Sequence, residues 1–217
     1  MNKRLGRIVE LIKKEYPRAR IALNYKTSLD LMVATILSAQ CTDKKVNQVT
    51  EELFKRYKTV SDYAKAKQAK FEQEIRPTGF FRNKTKSILG AAKMLVEKYH
   101  GRVPDNMEEL LTLPGVARKT ATVILFNAFH KIEGITVDTH VLRLSERLGL
   151  SKNKDPKKIE QDLMAELPHP IWGKFAYWMI EHGRKVCIAK KPLCPQCVVC
   201  KYCPSYPHFM KIFYMVK

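Results

Sequence analysis

Acidic residues are scarce in this chain. Only 21 Asp and Glu stand against 40 Lys and Arg among 217 residues, a formal net charge of +19. That deficit points to a polyanionic partner, most often nucleic acid, because cations that neutralise phosphates release condensed counterions. A basic surface that serves solubility alone is the plainer alternative. Long apolar runs are missing as well, and none approaches the length that spans a bilayer. No lysine-rich face is paired with an exposed aromatic stripe, which argues against a membrane surface. The opening MNKRLGRIVELIKKEY has no apolar stretch followed by a cleavage site. It reads as an amphipathic helix and not as a secretory signal, so a cytoplasmic protein is expected. A disulfide framework is absent too: Cys41 stands alone and the other five cysteines crowd between Cys187 and Cys203. Such clustering in a cytoplasmic chain favours a metal site.

No stretch reads convincingly as a strand, and helical periodicity fills most of the chain. Residues 28–39 open at Ser28 and are apolar nearly all round, which predicts a central buried helix. Asp43 is expected to cap the next helix, KKVNQVTEELFKRY. In KTKSILGAAKMLVEKYHG, the residues Ile88, Leu89, Ala92, Leu95, Val96 and Tyr99 share a face, Lys84, Lys86, Lys93 and Lys98 fall elsewhere, and Gly101 supplies the stop. Short helices are expected near 106–112 and 116–129, and three more in VLRLSERLGL, DPKKIEQDLMAEL and IWGKFAYWMIEHGRK. The apolar, aromatic end, SYPHFMKIFYMVK, is expected to pack back onto the body. The chain is therefore read as all-α and monomeric, with no low-complexity linker and no internal repeat.

The stretch LPGVARKTATVILFNAFHKIEGITVDTH holds the residues with chemistry. Pro114 presets a tight turn, and Gly115 permits a positive φ or a close backbone approach. A helix that starts just past such a turn points unpartnered amides and the positive end of its dipole outward, which suits a phosphate. An ordinary helical hairpin is the bland account. Lys119 sharpens it, because the helix dipole and any desolvation both disfavour a charged ammonium there, and a neutral amine is a nucleophile fit for Schiff-base chemistry. A lysine that merely binds phosphate remains the alternative. Asp138 either caps the helix starting at Thr139 or supplies negative charge where a glycosidic bond breaks with oxocarbenium character.

LPGVARKTATVIL followed by VDTH resembles the helix-hairpin-helix signature and downstream aspartate of the endonuclease III family of base-excision repair DNA glycosylases. The resemblance extends to LSAQCTD, to TGFFRNK and to the terminal cysteines. It implies a two-lobed helical DNA glycosylase fold. In that layout 21–130 is a six-helix barrel domain carrying the hairpin (about 108–129), and 1–20 plus 131–217 is an iron–sulfur domain with a cluster loop at 187–203. It implies Lys119 as nucleophile and Asp138 as catalytic carboxylate in a bifunctional glycosylase/AP lyase that excises oxidised pyrimidines from double-stranded DNA and cuts 3′ to the abasic site. A lysine at position 119 argues against the branch that removes a base without cutting, which stays open beside a non-catalytic DNA-binding module. The resemblance further implies that Gln40 fills the gap left by an extruded nucleotide and that Phe80 is an apolar wedge. A polar helix-end contact and a core aromatic are the respective alternatives. Gly115, Val116 and Ala117 are expected to hold a DNA phosphate, although Ala117 stands where a second glycine is common.

The same resemblance assigns Cys187, Cys194, Cys197 and Cys203 as ligands of a [4Fe-4S] cluster, for which four soft thiolates are chemically suited. Cys200 is extra and completes a run of cysteines at two-residue intervals, so spacing alone does not force the ligand choice, and a Cys₄ zinc site remains open. Lys190 and Lys191, between the first two ligands, are expected to meet DNA phosphates.

Overall fold

In the computed structural model, residues 1–215 are described, with side chains up to Lys211. The expectation for the C-terminal run extends to Val216 and Lys217, which lie outside the described residues. Among the described residues there are twelve α-helices and no strand. None of the helices is long and apolar enough to cross a membrane. The helices are α1 (Lys3–Glu15), α2 (Ser28–Leu37), α3 (Asp43–Arg56), α4 (Val60–Ala64), α5 (Gln68–Ile75), α6 (Phe81–Lys98), α7 (Met107–Thr112), α8 (Arg118–Phe129), α9 (Thr139–Arg147), α10 (Pro156–Glu166), α11 (Trp172–Lys185) and α12 (Tyr206–Met215). They divide into two compact units, one of residues 22–133 and one of residues 1–21 together with those from Gly134 on.

The unit of residues 22–133 is built around α2, where every residue from Leu29 to Leu37 is buried. A helix apolar on all sides is stable only when neighbours cover all of it, and α3, α6 and α8 do so. Its start is fixed by a reciprocal cap. Thr27 Oγ1 accepts from the Asp30 amide at 3.1 Å, and the Asp30 carboxylate accepts from the amides of Lys26 and Thr27 at 3.0 Å each. The cap is thus Thr27, one residue before the expected Ser28. Likewise Thr42, and not Asp43, caps α3 by accepting from the Lys45 amide, while Asp43 occupies the first turn, where the dipole favours an anion.

Residues 58–83 gave no helical signal in sequence, yet α4 and α5 lie there and pack against α6. Their anchor is aromatic: Tyr57 stacks on Tyr63 at 5.0 Å, and Phe71 meets both rings edge-on at 5.4 and 6.0 Å. Two assignments on α6 are corrected. Val96 is 45% exposed and not on the covered face, whereas its neighbour Leu95 is fully buried. Lys84, set apart from the apolar face in the sequence reading, is 5% exposed. Gly101 does end the helix, its amide reaching Leu95 O at 2.8 Å.

The second unit joins the two ends of the described chain. α1 buries Leu5, Ile8, Val9 and Ile12, a stripe at helical spacing that packs against α11. Arg4 extends this attachment by donating to the carbonyls of Leu148 at 2.7 Å, Gly149 at 2.9 Å and Tyr202 at 3.0 Å. Tyr16 OH lies 3.1 Å from His182 Nδ1 on the far side of the same contact.

Within the first unit, α7 and α8 form the hairpin. Gly115 has φ +79°, and a Cβ placed there would lie 2.5 Å from Ser87 Cβ and 2.8 Å from Ser87 Oγ on α6. Backbone conformation and close approach therefore both demand glycine. Gly115→Ala should cost about 1–3 kcal/mol for the left-handed backbone and a further ~1–3 kcal/mol for overpacking. Adding Ser87→Gly should recover only the second part, less roughly 0.5 kcal/mol of helix propensity. Urea midpoints of the two variants check this, and a full recovery would show that the positive φ is not the constraint.

Candidate active site and cysteine cavity

In the unit of residues 22–133, the hairpin sets up the start of α8. The N-cap residue Ala117 has no side-chain acceptor, so the first turn is not closed off as a Ser, Thr or Asp would close it. Lys119 is the second residue of α8 and is exposed, whereas Ala121 to Leu125 just beyond it are buried. The helix is anchored by its apolar body and presents its N-terminus, with its positive dipole end, to solvent.

The three hairpin residues expected to hold a phosphate are not equivalent. Gly115 and Ala117 are exposed. Val116 is 5% exposed and its amide already donates to Leu113 O at 3.1 Å, so it serves the turn and the core. Gln40 and Phe80 share a feature that sequence did not reveal: both carry side chains at positive φ, +53° and +47°. Both are exposed, Phe80 by 62%. Left-handed backbone at a bulky residue costs of order 1–3 kcal/mol and collects at functional positions. Phe80 is therefore not the core aromatic that was its alternative.

In the other unit, Asp138 caps α9. Its Oδ1 accepts from the amides of His140 at 2.9 Å and Val141 at 2.8 Å, leaving Oδ2 outside both bonds. The structural role weighed for Asp138 is thus real, and it uses one of two carboxylate oxygens. Helix α9 then carries two arginines one turn apart that sequence reasoning missed. Arg143 donates to Cys187 O at 3.0 Å and Gly183 O at 2.9 Å. Arg147 donates to Ile188 O at 2.9 Å and Ala189 O at 2.7 Å. The i, i+4 spacing in RLSER was the available signal. These bonds fix the loop that holds Lys190 and Lys191, both of which are exposed.

Beyond that loop, Cys187, Cys194, Cys197, Cys200 and Cys203 line one cavity, with Arg147, His182 and Phe209 completing its wall. Tyr206 of α12 also lines it, and the Arg147 guanidinium sits 4.6 Å from the Phe209 ring centroid, so this part of the C-terminal run packs back as expected. Burial pushes the thiols of Cys194, Cys197 and Cys203 up, that of Cys197 to about 12. Thiolates gathered here therefore need cationic charge beside them. Arg147 Nη1 supplies such charge 3.4 Å from Cys187 Sγ, whereas His182 Nε2, 3.4 Å from Cys197 Sγ, belongs to a ring that burial pushes down to about 4 and so keeps neutral. Among the described residues no group of three or more His, Cys, Asp or Glu side chains is arranged to hold a single metal ion. Five thiols on one cavity are the soft donor set that fits an iron–sulfur group, and four of them would serve zinc as well.

Residues 33–169 match the family model described as HhH-GPD superfamily base excision DNA repair protein. The chain is 54% identical over 202 residues to the endonuclease III of Synechocystis sp., covering 93% of this chain and 92% of that protein. This chain belongs to the endonuclease III family. The endonuclease III of Thermotoga maritima is 39% identical over 197 residues, covering 90% of each. Among solved structures, a non-covalent endonuclease III–DNA complex matches with TM-score 0.91 and 38% identity, covering 97% of this chain and 100% of that one. A trapped endonuclease III–DNA covalent intermediate matches with the same values. Within this endonuclease III family member, the exposed α8 start, Gln40 and Phe80 belong to one unit, and Asp138, Lys190, Lys191 and the cysteines to the other.

The two roles of Asp138 separate by substitution. Asp138→Asn keeps an acceptor at the cap and should leave stability within about 0.5 kcal/mol, whereas Asp138→Ala should lose about 0.5–2 kcal/mol. Thermal melts of both variants measure this, and equal losses would remove the cap argument.

Proposed function

We propose that this chain is a bifunctional DNA glycosylase/AP lyase of base-excision repair, cytoplasmic and monomeric, that acts on oxidised pyrimidines and abasic sites in duplex DNA. The observation that carries the reading is Lys119. It is an exposed amine at the start of α8, beside the hairpin turn, in a chain whose relatives include an endonuclease III trapped covalently on DNA.

The amides of Gly115 and Ala117 and the dipole of α8 hold a backbone phosphate. Gln40 and Phe80 take the space vacated when the damaged nucleotide leaves the stack. Lys119 Nζ attacks C1′ of the deoxyribose, the bond from C1′ to the base breaks, and the base departs with the electron pair and gains a proton. Ring opening leaves a protonated Schiff base between Nζ and C1′. Loss of a proton from C2′ then expels the 3′ phosphate by β-elimination, and hydrolysis frees the lysine. The Asp138 carboxylate offsets the positive charge that grows on the sugar as the base departs.

Residues 22–133 form the hairpin-bearing domain in this reading, and the remaining residues form the iron–sulfur domain. Cys187, Cys194, Cys197 and Cys203 would hold a [4Fe-4S] cluster, whose iron supplies the charge that buried thiolates need. Arg143 and Arg147 order the backbone around it, and Lys190 and Lys191 then meet DNA phosphates as fixed charges.

Borohydride added during turnover should reduce the Schiff base and link the protein covalently to DNA containing an abasic site. Lys119→Ala should abolish that link, and trapping by the variant would assign the nucleophile elsewhere. Wild-type protein that releases a base without trapping would be a monofunctional glycosylase, and one that binds without doing either would be a binding module.

Binding should weaken linearly on a log–log plot against salt, by about 0.9 per phosphate contacted. Replacing Lys190 and Lys191 with alanine should lower that slope by about 1–2 and leave the visible absorption of the cluster intact. An unchanged slope would detach the loop from DNA binding.

A further inference from the structure

Lys84 is the last residue of the TGFFRNK segment and lies near the start of α6, and sequence set it apart from the apolar face. The structure buries it to 5% exposure and gives its ammonium two carbonyl partners, Leu37 O at 2.8 Å and Thr78 O at 2.7 Å. Those carbonyls mark two chain reversals. Leu37 is the last residue of α2, three positions before Gln40. Thr78 is the last residue of the short 3₁₀ turn Arg76–Thr78, two positions before Phe80.

Helix and turn ends leave carbonyls without partners, and a buried one must find a donor. A single ammonium that bonds both fixes one reversal against the other. The backbone just beyond each is left-handed at a residue with a large side chain, a conformation that persists only where its surroundings over-determine it. Burial pushes the Lys84 ammonium down from its ordinary range, opposed by nearby Cys41. An ammonium kept in such a place is held by what it bonds.

We propose that Lys84 is a positioning residue that sets Gln40 and Phe80, as a pair, for the gap left by an extruded nucleotide. This rests on the reading of Gln40 and Phe80 given under the proposed function. Lys84 touches no substrate. It acts through the two carbonyls, and its loss frees both gap-filling side chains together.

The test compares wild type with Lys84→Met, Phe80→Ala, Gln40→Ala and the Lys84→Met/Phe80→Ala pair, all as the full chain. Each is assayed for strand cleavage at an abasic site in a duplex and at the same site in a single strand, which has no opposite strand and no gap to fill. Lys84→Met keeps the side chain's length and loses both N–H bonds. It should lose about tenfold to a hundredfold on the duplex, as small misplacements of working groups do, with a much smaller loss on the single strand. The paired variant should lose less than the product of the two single losses, because part of what Lys84 sets is already gone in Phe80→Ala. Equal losses on both substrates would make Lys84 a structural peg and overturn the proposal, as would full duplex activity in Lys84→Met.

Full duplex activity in Phe80→Ala and Gln40→Ala would instead remove the premise, a result readable without the lysine variant. Should Lys84→Met fail to fold, Lys84→Arg replaces it. It keeps the charge but has no single nitrogen at the same reach from both carbonyls, so the same duplex-selective loss is expected and its absence overturns the proposal.

Discussion

A protein made of helices satisfies its backbone everywhere except at the helix ends, where amides at one end and carbonyls at the other are left over. In this chain those ends are treated in different ways. Thr27 and Asp30 close the start of α2 with a reciprocal cap. The carbonyl at its far end is met by a lysine ammonium from α6. Ala117 leaves the start of α8 without a side-chain cap, and Asp138 closes the start of α9 with one oxygen while keeping the other out of the cap. Closed ends hold the architecture, and an end left open at the surface offers partial charge that an anion can meet.

The cysteine-bearing segment obeys a related constraint. It has only single turns of 3₁₀ helix to order it, so much of its backbone bonding must come from side chains. Arg143 and Arg147 reach its carbonyls from α9, and Arg4 reaches Tyr202 O from α1. Guanidinium groups suit this work because their donors are many, planar and permanently charged. The helix that Asp138 caps therefore also orders the segment carrying Lys190 and Lys191.

Much of this was legible in sequence where the physics is local. A Pro-Gly turn before an apolar helix marked the hairpin, and a lysine in that helix's first turn stood out against its neighbours. Cysteines spaced by two residues gathered round one cavity. What stayed hidden was either too short or too distant. The five residues of α4 are too few to show a period, and α5 is barely longer. Lys84 bonds a carbonyl 47 positions away with nothing nearby to announce it, and Arg143 one 44 positions away. The engagement of the Val116 amide within its own turn could not be told from a run of outward-pointing amides. Left-handed backbone at Gln40 and Phe80 is likewise invisible in letters, because neither residue type favours it.

The pairing of α1 with α11 shapes how the molecule comes into being on the ribosome. The stripe Leu5, Ile8, Val9 and Ile12 emerges first, but the surface that covers it begins at Trp172. At about 5–20 residues per second, the first helix waits roughly 8–30 s with its oily side in water or in the grip of a chaperone. The contiguous unit of residues 22–133 is made entirely within that delay. A helix made early is thereby left waiting on one made late.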